Sequence, residues 1–203
     1  FLSDSNHKYN TFDYTRIDPD FGTEEDMAEL VRTAHDMGIR VMLDAVFNHS
    51  GTEFFAWKDV WEKGEDSPYF DWFCIHEKPF KRKRGSLRDG RFDGFAYLDF
   101  MPKLNTGNPE VQRYFAQICT HWVRDWGVDG IRFDVGNEVS HRFLQYMNRE
   151  LKTINPELFL LGEIWMDSAE WLRGDEYDSV MNYPFFESLQ NFWVDEDADS
   201  RDF

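Results

Sequence analysis

The sequence predicts an α/β fold in which short parallel strands alternate with helices. Three apolar runs bounded by Gly, Asn or Pro, at 39–47, 130–135 and 158–165, have the composition of strands buried on both faces, and 179–183 is a fourth candidate. Between the runs, apolar residues recur with the helical period. Strands separated by helices imply a parallel sheet, either an open doubly wound sheet or a (β/α)₈ barrel.

Three amphipathic stripes supply the predicted helices. They run from Met27 to Met37, from Val111 to Trp122 and from Phe143 to Ile154. Thr23, with an aspartate three residues later, is typical of a helix start, and Gly38 is placed for a helix end. Each predicted helix therefore lies directly before one of the three predicted strands or the segment leading to it.

One long segment breaks the alternation. Residues 50–107 are rich in aromatic residues, Gly and charge and show no helical period, so we interpret them as an inserted subdomain. This interpretation divides the chain into a βα part at 1–49, the insertion at 50–107 and a second βα part at 108–203. The aromatic residues of the insertion either stack on flat ligands or build its own small core. They include Trp57, Trp61, Phe70, Trp72 and Phe73.

Composition narrows the class of protein. The 203 residues are 41% hydrophobic and 18% aromatic, which is ample for a folded core. The net charge of −17 argues against a nucleic-acid partner, and the basic run at 81–84 is interpreted as a solvated loop. No apolar run is long enough to span a bilayer, so no membrane partner is expected. Cys74 and Cys119 are predicted to be two buried free thiols, which favours the cytoplasm.

Polar residues collect where the predicted strands end. In parallel α/β folds, side chains beyond the carboxyl ends of the strands share one face of the sheet. The residues in these positions are Asp44, Asn48, His49, Arg132, Asp134, Glu163 and Trp165. A single aspartate there could be a metal ligand or a helix cap, but the pair of Asp134 and Glu163 fits a retaining glycosidase, in which two carboxylates stand about 5 to 5.5 Å apart.

Four motifs carry a family resemblance. DAVFNH at 44–49, GVDGIRFDVGNEVSH at 127–141 and GEIW at 162–165 resemble the first three signature regions of the α-amylase family, glycoside hydrolase family 13. MPKLN at 101–105 resembles the extra motif of its neopullulanase, cyclomaltodextrinase and maltogenic amylase group. The resemblance implies a partial (β/α)₈ TIM barrel comprising about strands 3 to 6, with the insertion after the third strand.

The resemblance also implies roles for individual residues. Asp134 would be the nucleophile and Glu163 the protonated acid that later activates water. Arg132 would keep Asp134 ionised, because an adjacent cation lowers a carboxyl pKa, and Asp44 would orient Arg132. Asn48 would support the site structurally.

Sugar contacts are expected from the same motifs. His49 would donate a hydrogen bond to the glucose at the cleaved position, and Tyr9 would stack beneath that ring. Glu138 and His141 have an alternative interpretation as first-turn helix residues or solvated side chains. The remaining substrate-binding candidates, mostly on the acceptor side, are Asn137, Glu138, His141 and Trp165.

The chain departs from the group at several positions. Gly136 stands where the group has alanine, Asn10 where it has aspartate, and Met166 where a histidine is common. The fourth signature region, which carries the family's third catalytic aspartate, does not follow VMNYPF at 180–185. We therefore expect an internal fragment of the catalytic domain, from an enzyme of more than twice this length, that is inactive by itself.

The resemblance implies a retaining hydrolase of α-glucosidic bonds in cyclodextrins, pullulan, starch or maltodextrins, with some transglycosylation. One alternative is an oligo-1,6-glucosidase, against which MPKLN argues; another is a non-catalytic amylase-like interaction scaffold, which predicts loss of Asp134 and Glu163. No cofactor is expected and no metal ligand is assigned in this chain. Calcium is left open for the full-length protein, because many α-amylases bind it through the asparagine that corresponds to Asn48. The full-length protein is expected to be cytoplasmic and able to form a homodimer.

Overall fold

The computed structural model describes residues 1–80 and 91–194. Its described residues contain one four-stranded parallel sheet, formed by β1 (Met42–Ala45), β2 (Gly130–Phe133), β3 (Phe159–Gly162) and β4 (Ser179–Val180). The strands lie in the order β1-β2-β3-β4. A doubly wound sheet reverses its order at a switch point, whereas this sheet keeps the order of the chain, as a barrel does.

The three predicted helices are present, with two further ones. The helices are α1 (Glu24–Asp36), α2 (Phe55–Lys63), α3 (Pro109–His121), α4 (His141–Ile154) and α5 (Tyr183–Val194). Thr23 forms the expected capping box, because its hydroxyl accepts from the Asp26 amide and the Asp26 carboxylate accepts from the Thr23 amide. Gly38 has φ +75°, a backbone conformation that suits glycine just after a helix.

The strands are shorter than the sequence predicts. Phe47 and Ile164 are fully buried although they lie beyond the ends of β1 and β3, so the apolar pattern continues past the backbone pairing. The predicted strand 179–183 stops at Val180 because α5 begins at Tyr183. The Asn182 side chain accepts a hydrogen bond from the Phe185 amide at 3.2 Å, which is a helix-capping contact.

The expectation of no helix in the insertion is wrong. Helix α2 has only nine residues, too few to display a clear stripe in an aromatic-rich segment, and it ends at Gly64 with φ +62°. Four of the five named aromatic residues are buried, and Trp61 is half-buried. They belong to the same core as Phe47 and Phe115, so the aromatic residues mainly build structure.

The two ends of the insertion meet beside the sheet. His49 and Lys103 form an antiparallel bridge, and the Leu104 amide donates to the Asn48 carbonyl at 2.9 Å. The MPKLN motif therefore runs next to the segment that follows β1. This pairing brings Lys103 close to the carboxyl ends of the strands.

Three other expectations concern the whole chain. Cys74 and Cys119 are free thiols, but only Cys119 is buried and Cys74 is half-buried. Within 1–80 and 91–194, the longest and most apolar helices still fall short of what crossing a membrane requires. The basic run at 81–84 lies outside the described residues.

Candidate active site

The carboxyl ends of three adjacent strands bring four charged side chains together. Asp44 lies in β1 directly opposite Arg132 of β2 in the parallel register. Asp134 and Glu163 come immediately after β2 and β3. The four candidates that the sequence placed at separate strand ends are thus neighbours on one face.

The Arg132 guanidinium is the centre of this cluster. Its Nη1 lies 2.6 Å from Asp44 Oδ1 and 3.1 Å from Asp134 Oδ1, and its Nη2 lies 2.9 Å from Glu163 Oε2. Three carboxylates therefore share one cation. Charge-assisted bonds of this kind fix the orientation of each partner as well as its charge.

The pKa of Asp134 is raised above its ordinary value. Burial raises it most, the charge of Asp44 raises it further, and the lowering effect of Arg132 does not compensate, so the pKa is raised to about 7. Burial is the largest cause of this rise, and the two other carboxylates that contact Arg132, Asp44 and Glu163, act on Asp134 as like charges. Arg132 does lower the pKa of Asp134, but by less than burial and the charge of Asp44 raise it. The expectation that Arg132 keeps Asp134 ionised in the working enzyme stays a prediction.

The pKa of Glu163 moves the other way. Partial burial raises it, but the Val135 amide, the Trp165 side chain, the Arg132 charge and the Tyr183 hydroxyl outweigh burial and lower it below its ordinary value. The amide donates to Oε2 at 2.9 Å and the Tyr183 hydroxyl to Oε1 at 3.1 Å. These donors favour the charged carboxylate of Glu163 in the substrate-free site. The role of Glu163 as the protonated acid stays a prediction.

Tyr9 stands at the edge of the cluster. Its hydroxyl donates to Asp44 Oδ2 at 2.8 Å, and its ring is 36% exposed. Burial and the bond to Asp44 raise the pKa of Tyr9 to about 12, so the phenol stays protonated. The exposed ring leaves a flat surface for a sugar.

His49 is enclosed rather than open to the site. Its Nε2 donates to the Tyr9 carbonyl at 2.9 Å, and the Phe95 ring stacks on the imidazole with centroids 4.7 Å apart. Burial lowers the pKa of His49 to about 4, so the ring is neutral at physiological pH. In this arrangement the Tyr9 carbonyl occupies the Nε2 hydrogen-bonding position of His49, and the expected contact between His49 and glucose stays a prediction.

The predicted acceptor-side residues occupy three different environments. The Asn137 Oδ1 atom is buried without a hydrogen-bond partner, while Glu138 is exposed and accepts from Lys103 Nζ at 2.6 Å. His141 is the first residue of α4, and its Nδ1 lies 2.9 Å from the buried Glu176 carboxylate. Trp165 is 41% exposed beside Glu163.

Residues 1–201 match the family described as alpha-amylase, catalytic domain. The chain belongs to the α-amylase family. The family's catalytic domain has a TIM-barrel fold, so the four-stranded parallel sheet is part of that barrel. This confirms the resemblance and the predicted fold class.

Similar members of the α-amylase family carry the names expected from MPKLN. The maltogenic alpha-amylase of Bacillus acidopullulyticus is 47% identical over 203 residues, which are 100% of this chain and 34% of that protein. Neopullulanase 2 of Thermoactinomyces vulgaris is 46% identical over 195 residues, covering 96% and 32%. A cyclomaltodextrinase structure superimposes with a TM-score of 0.91 at 45% identity, covering 100% and 34%. The chain thus spans about a third of the length of these relatives.

The contacts around the Asn48 side chain place a positive charge near the calcium position expected from other α-amylases. The Asn48 Oδ1 atom is buried and unpartnered, but the Asn48 amide nitrogen faces Glu138 Oε2 at 3.5 Å. The Lys103 ammonium contacts the same Glu138 oxygen. A positive charge in that position repels a divalent cation, and among residues 1–80 and 91–194 no group of three or more His, Cys, Asp or Glu could hold a metal.

Sequence reasoning missed several residues that shape this site. Tyr183 lies within VMNYPF, which extends the family resemblance, but the motif gave it no role. Tyr177 and Glu176 lie in the loop between β3 and β4, where no sequence period marks them. Lys103 was visible only as part of MPKLN, and its contact with Glu138 required the bridge to His49.

Proposed function

We propose that the full-length protein is a retaining glycoside hydrolase of α-glucosidic bonds in cyclodextrins, pullulan, starch or maltodextrins. The observation that carries this proposal is the contact of Asp134 and Glu163 with the two terminal nitrogens of one guanidinium, that of Arg132. Two carboxylates this close at the carboxyl ends of adjacent barrel strands suit the double displacement of a retaining glycosidase. The names of the family relatives support the class of substrate.

The reaction follows from two carboxylates with different tasks. Asp134 attacks the anomeric carbon as the glycosidic C–O bond breaks, and the leaving oxygen takes the proton of Glu163. A water molecule then gives its proton to Glu163 and attacks the same carbon, which releases Asp134. Two inversions retain the configuration of the sugar.

The reaction depends on which of the two carboxyl groups, Asp134 or Glu163, is protonated. The pKa of Asp134 is raised to about 7 and that of Glu163 is lowered, so the pair titrates as a unit that holds one proton near neutral pH. The reaction uses the arrangement in which Glu163 holds this proton. We infer that substrate binding favours it, because a glycosidic oxygen next to Glu163 accepts a hydrogen bond from the protonated acid.

The surrounding residues bind the substrate in this proposal. The exposed rings of Tyr9 and Trp165 stack on glucose units, and Asn137 and Glu138 face the acceptor side. His49 supports the Tyr9 loop through its bond to the Tyr9 carbonyl. The cytoplasmic location, the homodimer, the lack of a cofactor or nucleic-acid partner and the inactivity of the isolated chain stay predictions.

The test is hydrolysis of β-cyclodextrin, pullulan and starch by the full-length protein and its Asp134→Asn and Glu163→Gln variants. We expect cyclodextrin or pullulan to be preferred over starch, the first product to have the α configuration, and both variants to lose at least about 10³-fold in kcat. Full activity in either variant would refute the role of that carboxylate. No hydrolysis of any glucan by the unmodified protein would instead favour the non-catalytic scaffold.

A further inference from the structure

Tyr177 occupies the space between the two strand ends that carry Asp134 and Glu163. Its side chain is buried, with 3% of the residue exposed, and its ring packs on Phe133 of β2 with centroids 5.6 Å apart. Its hydroxyl donates to the Gly136 carbonyl at 3.3 Å. The tyrosine thereby joins the loop after β3 to the turn that follows Asp134.

Gly136 is required by this arrangement. A methyl carbon at Gly136 would lie 2.7 Å from the Tyr177 hydroxyl oxygen and 3.2 Å from the Glu163 amide nitrogen and carbonyl oxygen. Contacts this short force a displacement of the neighbours. The Tyr177 hydroxyl therefore occupies the space that a methyl group at position 136 would need.

Gly162, at the end of β3, must also lack a side chain to leave room for Tyr177. A methyl carbon there would lie 2.4 to 2.9 Å from atoms of the Tyr177 ring. Gly162 directly precedes Glu163, and Gly136 follows Asp134 by two residues. One aromatic side chain therefore rests on the backbone next to both carboxylates.

The turn that Tyr177 contacts is strained. Val135 has φ +49° and ψ +42°, a left-handed conformation that is costly for a β-branched residue. This conformation directs the Val135 amide to Glu163 Oε2, the 2.9 Å bond that helps to lower the pKa of Glu163. Such strain persists only where neighbouring contacts hold it, and the bond from Tyr177 to Gly136 lies one residue away.

We propose that Tyr177 is a positioning residue for the reaction, which holds the Val135–Gly136 turn so that the Val135 amide faces Glu163. This inference rests on the proposed function. A phenylalanine would fill the same core volume, so the specific contribution of the tyrosine is its hydroxyl bond to Gly136. The absence of a side chain at Gly136 leaves the space that the Tyr177 hydroxyl fills.

The test uses Gly136→Ala, Tyr177→Phe and the double variant in the full-length protein, with kcat, KM and the pH profile measured for β-cyclodextrin. Gly136→Ala is expected to lower kcat ~30-fold with KM within about twofold, since displacement of a reacting group by about 1 Å costs on the order of 10²-fold. The double variant is expected to recover to within ~5-fold of the unmodified protein, because the methyl group replaces the hydroxyl. Tyr177→Phe alone is expected to lower kcat ~5-fold and shift the pH limb to which Glu163 contributes.

Thermal unfolding of the same variants separates positioning from stability. Tyr14→Phe is the matched stability control, since Tyr14 is equally buried and donates its hydroxyl to a backbone carbonyl at 3.1 Å. A double variant no more active than Gly136→Ala, or a Tyr177→Phe protein with unchanged kcat and pH profile, would overturn the role of Tyr177. Absence of glucan hydrolysis by the unmodified protein would overturn the proposed function itself, and these two failures are distinct.

Discussion

Arg132 makes a shorter contact with Asp44, at 2.6 Å, than with either of the two proposed catalytic carboxylates. Asp44 also accepts a hydrogen bond from the Tyr9 hydroxyl at 2.8 Å. It therefore orients both the cation of the site and an exposed ring, while its own charge raises the pKa of Asp134. Asp44 thus both contacts Arg132 and raises the pKa of the proposed nucleophile, Asp134.

Replacement of Asp44 tests this double effect. Asp44→Asn removes a negative charge that raises the pKa of Asp134, so we expect the low-pH limb of kcat/KM to move to lower pH. The direction follows because the attacking carboxylate must be ionised. We also expect kcat to fall ~10-fold, since Arg132 loses its closest partner. Asp36→Asn, at the exposed end of α1, is the control, and an unmoved limb in Asp44→Asn would contradict the electrostatic part.

The raised pKa of Asp134 predicts a pH-dependent stability. The pKa is near 3.8 in the unfolded chain and about 7 in the folded protein, so the stabilising contribution is complete below 3.8 and is lost as the pH rises through 7. Asp134→Asn does not titrate, and we expect its stability relative to the unmodified protein to improve by roughly 1 to 4 kcal/mol between pH 5 and pH 8. Denaturant unfolding at the two pH values measures this difference. Equal differences at both values would rule out the pKa assigned to Asp134.

Tyr183 is expected to control the protonation of Glu163. Tyr183→Phe removes the 3.1 Å hydrogen bond to Oε1, which favours the charged carboxylate, so the pKa of Glu163 should rise. Activity that needs protonated Glu163 should then persist to higher pH, and the high-pH limb of kcat/KM should shift upward. Tyr146→Phe, on α4 beside Arg149, is the control for loss of a tyrosine hydroxyl. A profile identical to that of the control would show that Tyr183 has no such influence.

Trp165 is expected to combine a stacking surface with a hydrogen bond. Trp165 is 41% exposed, and its side chain helps to lower the pKa of Glu163. Trp165→Ala should raise KM about 5- to 10-fold by loss of stacking, whereas Trp165→Phe should keep KM and raise only the pKa of Glu163. Kinetics on maltodextrins separate the two effects. Equal KM values for both variants would mean that the ring does not bind sugar.

The sequence predicted those elements of the fold that show a clear apolar period. The stripes of α1, α3 and α4 correspond to observed helices, and the alternation predicted the parallel sheet. The ends of the strands were not predictable, because Phe47 and Ile164 are buried without backbone pairing in the sheet. Helix α2 was hidden by its shortness and by aromatic residues that serve the core on several sides.

The site was predictable as a set of residues but not as an electrostatic system. Asp44, Arg132, Asp134 and Glu163 could be placed on one face because each lies at or near a strand end. The lowered pKa of Glu163 could not be predicted, because it depends partly on an amide in a strained turn and on Tyr183, which follows Glu163 by twenty residues. Likewise, nothing in the sequence shows that the Phe95 ring covers the imidazole after β1.

The central claim is that Asp134 forms the covalent glycosyl intermediate. The most direct measurement is mass spectrometry of peptides from full-length Glu163→Gln protein treated with α-glucosyl fluoride. Fluoride leaves without an acid, and the missing base slows hydrolysis of the intermediate, so a hexosyl group should accumulate on Asp134 and not in a protein that also carries Asp134→Asn. A hexosyl group on Asp44 or another residue, or turnover that yields β-glucose with no adduct, would contradict the account.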